Sequence, residues 1–396
     1  MFRRQKGHAD ARELRPRLSL SRREFAGAVG ALALVGAARS GWAQDKPFRI
    51  GMVAPLSGPA APFGVEYAEG ARAYVKTWIE RGGFKGRLIE FDLLDDESSS
   101  VGSVNAYKRH ATNADTSLIW LASASSAILA VKPLASEYKV PIICGGIVDQ
   151  IGVPAEPYLF KVAAGTQDFQ KALVLWAKEK GFKRIAMMHA TDGYGQAEQA
   201  TIKRLAGEAG IDVVAIETFQ NADTNFTTQL TKLRVARPDL VYVASAGAPA
   251  ILIFKQYRQL ALKFPIAMTQ ASISRAFFDG VGGPDQVKGL YMATNLGNLG
   301  ASVGGDAARF FAEMEKSLGK KGTLFNTFGW DHGILTEWAL ANSDASRQGI
   351  RDALDRAKDV PAINGPFTYT PQNHIGQDYR GLTMAEYNGT AFVPAK

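Results

Sequence analysis

The feature that most restricts the fold of this chain is a regular alternation of short apolar runs with longer amphipathic ones, which begins at Phe48 and is gone through twice. Such alternation reads as βα units that build mostly parallel sheets. In the first series, strands are expected at 48–53, 88–94, 118–121 and 141–144, with helices at 64–80, 101–112 and from Ser125 or Ser126 to 138. In the second, strands fall at 184–188, 213–219 and 240–244, between helices at 167–180, 194–209, 226–236 and 248–262. Two series of this kind predict an α/β protein of two doubly wound, Rossmann-like lobes. Helices follow at 306–318, 329–342 and 346–357, and the end reads as a β-hairpin of 365–370 with 382–388.

Residues 1–43 follow a different pattern. Arg22 and Arg23 stand in Ser21-Arg22-Arg23-Glu24-Phe25, an apolar run covers 25–38, and Gly41-Trp42-Ala43 offers small residues at a cleavage position. A basic region, an apolar core and a processing site in that order read as a signal peptide, and the paired arginines as the twin-arginine route. A membrane span needs about 20 apolar residues, more than this run has. The reading places the rest of the chain in the periplasm.

The leader also changes the charge argument. It holds nine Lys and Arg against three acids, so +6 of the chain's +8 lies there and about +2 remains for the rest. A nearly neutral body gives no reason to expect nucleic acid as a partner. Cys144 is the single cysteine, so no intrachain disulfide can form.

In open α/β sheets, ligands sit beyond the carboxyl ends of the strands. Three such loops stand out. Ala122-Ser123-Ala124-Ser125-Ser126 offers hydroxyls and backbone N–H groups at a helix start, either as a cradle for an anion or as plain N-capping. Cys144-Gly145-Gly146-Ile147-Val148 lets backbone approach a ligand, or simply turns. Asp192-Gly193-Tyr194-Gly195 resembles half a dinucleotide fingerprint, but Glu198 stands where the last glycine belongs, which leaves Tyr194 to cover a small ligand.

Catalytic readings are weaker. Gly300-Ala301-Ser302-Val303-Gly304 has the spacing of a hydrolase nucleophile, but a Gly- and Asn-rich loop at 295–300 precedes it instead of a strand running into the serine. His110, His189, His332 and His374 lack paired metal-ligand spacing and read as surface or cleft histidines. No metal or cofactor is expected, and no enzymatic activity.

The order Gly51-Met52-Val53-Ala54-Pro55-Leu56-Ser57-Gly58-Pro59, then Phe63-Gly64 and Gly70-Ala71, resembles the opening of the leucine/isoleucine/valine-binding protein family, the periplasmic receptors of ABC importers. Asp95-Asp96, Ser125-Ser126, Pro133-Leu134-Ala135, Val140-Pro141, Asp192-Gly193-Tyr194-Gly195, Asp223-Thr224-Asn225-Phe226, Pro238-Asp239 and Lys255-Gln256 extend the likeness over 47–396. The resemblance implies a type I periplasmic binding fold: two lobes, 47–164 plus 296–374 and 165–295 plus 375–396, joined by three crossover segments. It also implies a small-molecule ligand in the cleft, an ABC permease as partner, and a monomer.

The resemblance assigns Ser125, Gly146 and Ile147 to the ligand's carboxylate, with Ser126 beside them, and it places Phe63 and Tyr194 as pocket walls. Two departures stand out. Where amino acid-binding members carry an acid for the ligand's ammonium, this chain has Ala267-Met268-Thr269-Gln270-Ala271-Ser272, with the position on or near Ala271. A second-lobe aromatic is replaced near Ala246-Gly247. An unpaired buried ammonium is costly. The expected ligand is therefore a carboxylate without an amino group and with a bulky or aromatic body, unless Asp331 or Asp192 supplies the charge. The alternatives are a sensory receptor of the same fold or an exported hydrolase using Ser302.

Overall fold

In the computed structural model, which describes residues 46–295, 299 and 305–395, the first apolar run becomes β1 (Phe48–Ala54), nearly all of it buried. It lies between β2 (Ile89–Asp95) and β3 (Thr116–Leu121), which is why it is apolar on both faces instead of alternating. β4 (Ile142–Cys144) and β5 (Leu159–Lys161) complete an all-parallel sheet of order β2-β1-β3-β4-β5. The expected leader at 1–43 and the serine at 302 lie outside the described residues.

The helices of this part are α1 (Ala61–Glu80), α2 (Ser100–Ala111), α3 (Ser125–Val131) and α4 (Ala135–Tyr138). The expected single helix from Ser125 or Ser126 to 138 is broken into α3, a tight turn at Lys132–Leu134 and α4. Pro133 is the cause, since it has no N–H to continue the ladder and its ring crowds the preceding turn. Serine capping is also corrected: the N-cap is Ala124, and no side chain caps the helix.

The second series folds as α5 (Thr166–Glu179), β6 (Arg184–Ala190), α6 (Gly193–Ala209), β7 (Asp212–Phe219), α7 (Thr227–Val235), β8 (Leu240–Ala244), α8 (Ala248–Gln259), β9 (Ile266–Met268), α9 (Arg275–Val281) and β10 (Leu290–Asn295). Its parallel strands run β7-β6-β8-β9-β10, the same order as in the first sheet. The chain then supplies α10 (Gly305–Leu318), α11 (Leu324–Ala341) and α12 (Arg347–Asp355), and returns to the second sheet through β11 (Leu382–Tyr387) and β12 (Phe392–Pro394). The hairpin differs from expectation. β11 pairs antiparallel with both β10 and β12, while 365–370 forms no strand, only isolated bridges at Phe367 and Thr370. β5, β9, β10, β12 and α9 went unforeseen; β5, β9 and β12 are three residues long, too short for periodicity to register.

α11 is buried along most of its length because it is covered on more than one side, packing against α1, α10 and α12. Its seam with α1 carries rings: Phe63 meets Phe325 at 5.4 Å, Tyr67 stacks near Phe328 at 6.1 Å, and Tyr74 sits edge-on to Trp330 at 5.0 Å. All four histidines expected at the surface or in a cleft are core residues instead, each no more than 2% exposed. Each ring faces a backbone carbonyl, as with His110 Nε2 and Met52 O at 3.1 Å, or His332 Nδ1 and Phe328 O at 2.7 Å. Such a partner lets a neutral imidazole be buried, and burial lowers His332 to about 4. Among the described residues no helix is long and apolar enough to cross a membrane, and no group of three or more His, Cys, Asp or Glu could hold a metal ion.

Candidate functional site

In each sheet the strand order reverses between the first and third strands of its series, so the loops leaving β1 and β3, and those leaving β6 and β8, splay apart and leave a crevice. The two crevices face one another. Between them lies a cavity of about 140 Å³. The first sheet's side contributes Pro59 and Ala60 after β1, the serine loop after β3 and Gly145–Ile147 after β4. The second contributes Asp192 after β6, Ala246 after β8, and Gln270 and Ala271 after β9. Ser125, Ser126, Gly146, Ile147, Tyr194, Phe63, Ala246 and Ala271 all line this cavity.

Their local roles differ from the simple expectation. The Ile147 N–H, expected to face a ligand, donates to Ser125 Oγ at 3.1 Å. This bond ties the two first-sheet loops together and leaves the serine's own proton free to donate elsewhere. Ser123 is also engaged: its hydroxyl meets Ser103 at 2.6 Å, which in turn reaches the buried Asp96 at 2.9 Å. The loop therefore does not offer a cradle of three equivalent serines to the cavity.

Tyr194, Phe63 and Ile147 are nearly buried, at 7, 8 and 7% exposure. The Tyr194 hydroxyl has no hydrogen-bond partner of ordinary geometry. Asp192 caps α6 by accepting the Gly195 N–H at 2.9 Å, and its other oxygen accepts from Asn221 Nδ2 at 2.9 Å. Asp331, the other acid considered for the ligand's charge, does not line the cavity. It is wholly buried, accepts the Ile363 N–H at 2.9 Å and Asn364 Nδ2 at 2.8 Å, and burial raises its carboxyl to about 7.

Sequence reasoning missed the rings of Tyr67, Phe325 and Phe328, and the side chains of Asn221 and Gln270. Phe325 and Phe328 stand three apart near the start of α11, a spacing that signals a shared helix face but not which face meets a ligand. The two sheets' bodies also touch directly. Ala248 N–H donates to Pro59 O at 3.0 Å, and Arg275 binds Glu66 through its backbone N–H and Glu69 through its guanidinium at 3.3 Å. Gly247 makes the first of these contacts possible: its φ is +65°, and a Cβ there would stand 2.2 Å from Pro59 O.

Behind Tyr194, one turn along α6, Glu198 is buried and accepts bonds from the Gln170 amide and the Tyr242 hydroxyl. Burial raises its carboxyl from 4.5 to about 7. A folded-state value above the unfolded one means that the stability this group contributes is complete below about pH 4 and is lost as pH rises through about 7. Glu198→Gln, which cannot ionise, is expected to keep the packing and to gain on the wild type as pH rises. The melting temperature of the wild type minus that of the variant should fall between about pH 5 and about pH 7.5 in paired thermal melts. A constant difference would show that Glu198 does not titrate in this range.

A family model described as periplasmic binding protein matches residues 47–390. A Leu/Ile/Val-binding protein homolog of Brucella melitensis biotype 1 is 23% identical over 349 residues, covering 86% of this chain and 91% of that protein. The crystal structure of an extracellular ligand-binding receptor from Rhodopseudomonas palustris HaA2 has a TM-score of 0.81 at 23% identity, over 88% of this chain and 99% of that one. An ABC transporter solute-binding protein from R. palustris, solved in complex with benzoate, has a TM-score of 0.78 at 20% identity, over 88% of this chain and 95% of that one. A family match running from the first strand to the end of β11 takes in every strand but β12 and every cavity-lining loop: the chain belongs to the periplasmic binding protein family, in its type I form.

Proposed function

We propose that this protein is the periplasmic solute-binding component of an ABC importer, exported through its leader, which captures a small carboxylate with a bulky or aromatic body and delivers it to a membrane permease. The observation that carries this reading is the chemistry of the cavity. Its lining combines the hydroxyls of Ser125 and Ser126 with the rings of Phe63, Phe325 and Phe328, and it includes Ala271, on or near the position that the resemblance gives to an acid facing an ammonium. A cavity of about 140 Å³ is close to the ~150 Å³ that accepts benzene in an apolar protein core. The benzoate bound by the R. palustris relative supports a ligand of this class.

The lobes in this reading are 47–164 plus 296–374 and 165–295 plus 375–396, and the protein works as a monomer. Support comes from the packing of α10 and α11 on α1 and of α5 on β10 and β11. Ligand touches both lobes only when they are together, so binding draws the hinge equilibrium towards closure. The Pro59–Ala248 and Arg275–Glu69 contacts add to the closed form.

The test is calorimetry or thermal shift with benzoate and a series of linear and branched monocarboxylates, each beside its methyl ester, and with leucine, isoleucine and valine. Acids are expected to bind, while esters and the three amino acids do not. Micromolar binding of leucine, or esters binding as well as acids, would overturn the proposal.

A further inference from the structure

The second-sheet wall of the cavity holds a polar side chain that the fold does not use. Gln270 opens the tight turn Gln270–Ser272 after β9, is 2% exposed, lines the cavity, and has a buried amide nitrogen with no hydrogen-bond partner. The turn is held without it. The hydroxyls of its neighbours Thr269 and Ser272 both donate to Ser245 O, at 3.0 and 2.8 Å. A buried amide left unpaired costs about 1–3 kcal/mol unless something entering the site satisfies it. Among the described residues lining the cavity the single carboxylate, Asp192, already accepts a bond at each oxygen.

We infer that Gln270 is a specificity-determining residue whose amide donates to an uncharged oxygen, hydroxyl or oxo, on the body of the bound carboxylate. This deepens the function proposed above and rests on it. A neutral amide cannot compensate an ammonium as a carboxylate would, but it gives an oxygenated acid one more bond than its unsubstituted parent. The preferred ligand class is therefore hydroxy- or oxo-substituted carboxylic acids. The nearby Tyr194 hydroxyl, also without a partner of ordinary geometry, offers a second contact of the same kind.

Titration calorimetry with matched probes tests this: benzoate against its 2-, 3- and 4-hydroxy derivatives, and 4-methylpentanoate against 4-methyl-2-oxopentanoate. In the wild type at least one oxygenated acid is expected to bind about tenfold or more tightly than its parent. Gln270→Leu should erase that advantage, and its ligand-free melting temperature should not fall, because the unpaired amide is removed. Gln270→Met, which keeps the side chain's length without a donor or acceptor amide if the leucine variant misfolds, should erase it too. Acids that bind with no oxygen advantage, or an advantage that survives in a folded variant, would overturn the role of Gln270 and leave the carboxylate reading standing. Binding by none of these acids would overturn both.

Discussion

Gly329→Val is expected to lower the stability of the protein by about 3 kcal/mol or more, the upper range for forcing bulk into a packed interior. Gly329 lies where α11 crosses α1, and a Cβ there would stand 2.2 Å from Tyr67 O and 2.7 Å from Ala71 N. The same closeness recurs one helical step away, where a Cβ on Gly70 would stand 2.1 Å from Asn326 O. These are backbone atoms, which cannot rotate aside as a side-chain end can, so the two helices must separate. Separation also moves the cavity wall, because Phe63 and Tyr67 ride on one helix and Phe325 and Phe328 on the other. Thermal melts should show the loss, with Gly207→Ala as the contrasting case. Gly207 lies in α6 with nothing near its missing Cβ, and alanine there should stabilise by about 0.5–1 kcal/mol. A valine at 329 tolerated as well as the alanine at 207 would mean that the helices are not in backbone contact.

Ser125→Ala is expected to weaken the best-binding carboxylate by about 10- to 100-fold, the range of a hydrogen bond to a charged group worth about 1.5–3 kcal/mol. The hydroxyl has two directions of action: its oxygen accepts the Ile147 N–H, and its proton is free for an anion. Alanine removes the donor and releases the loop that carries Gly146 and Ile147. Titration calorimetry of the variant alone and with Tyr194→Ala checks this. An unchanged affinity in both would mean that the anion does not sit against the serine loop.

The parts of the fold that were legible are those governed by local periodicity. The apolar run beginning at Phe48 became β1, an interior strand of its sheet, and Asp192 with the residues after it became the capped start of α6. What was not legible depended on partners far away in the chain. His332 read as a surface or cleft histidine and Asp331 as a charge for the ligand because nothing nearby in sequence shows that α11 is covered on more than one side. The end of the chain looked like a hairpin with 365–370 because turn signals locate a bend without naming the strand across it; the partner, β10, was an unforeseen strand.

The candidate site divides along the same line. The loop beyond β9 came only from the family resemblance, whereas the loops beyond the ends of β3, β4, β6 and β8 could be found from the strand pattern, because a parallel sheet places all its carboxyl ends on one edge, whatever the side chains. From this alone the sequence determined two doubly wound lobes and the segments that meet between them. Only the tertiary structure decided what those segments present to a ligand. It engaged the Ile147 N–H with Ser125, drew Ser123 into a buried network with Asp96, brought Phe325 and Phe328 from some 200 residues beyond the serine loop, and left the Gln270 amide without a partner. The physical reason is that strand and helix periodicity is set by neighbours a few residues apart, whereas the satisfaction of a buried polar group is set by whatever the rest of the chain brings within about 3 Å of it.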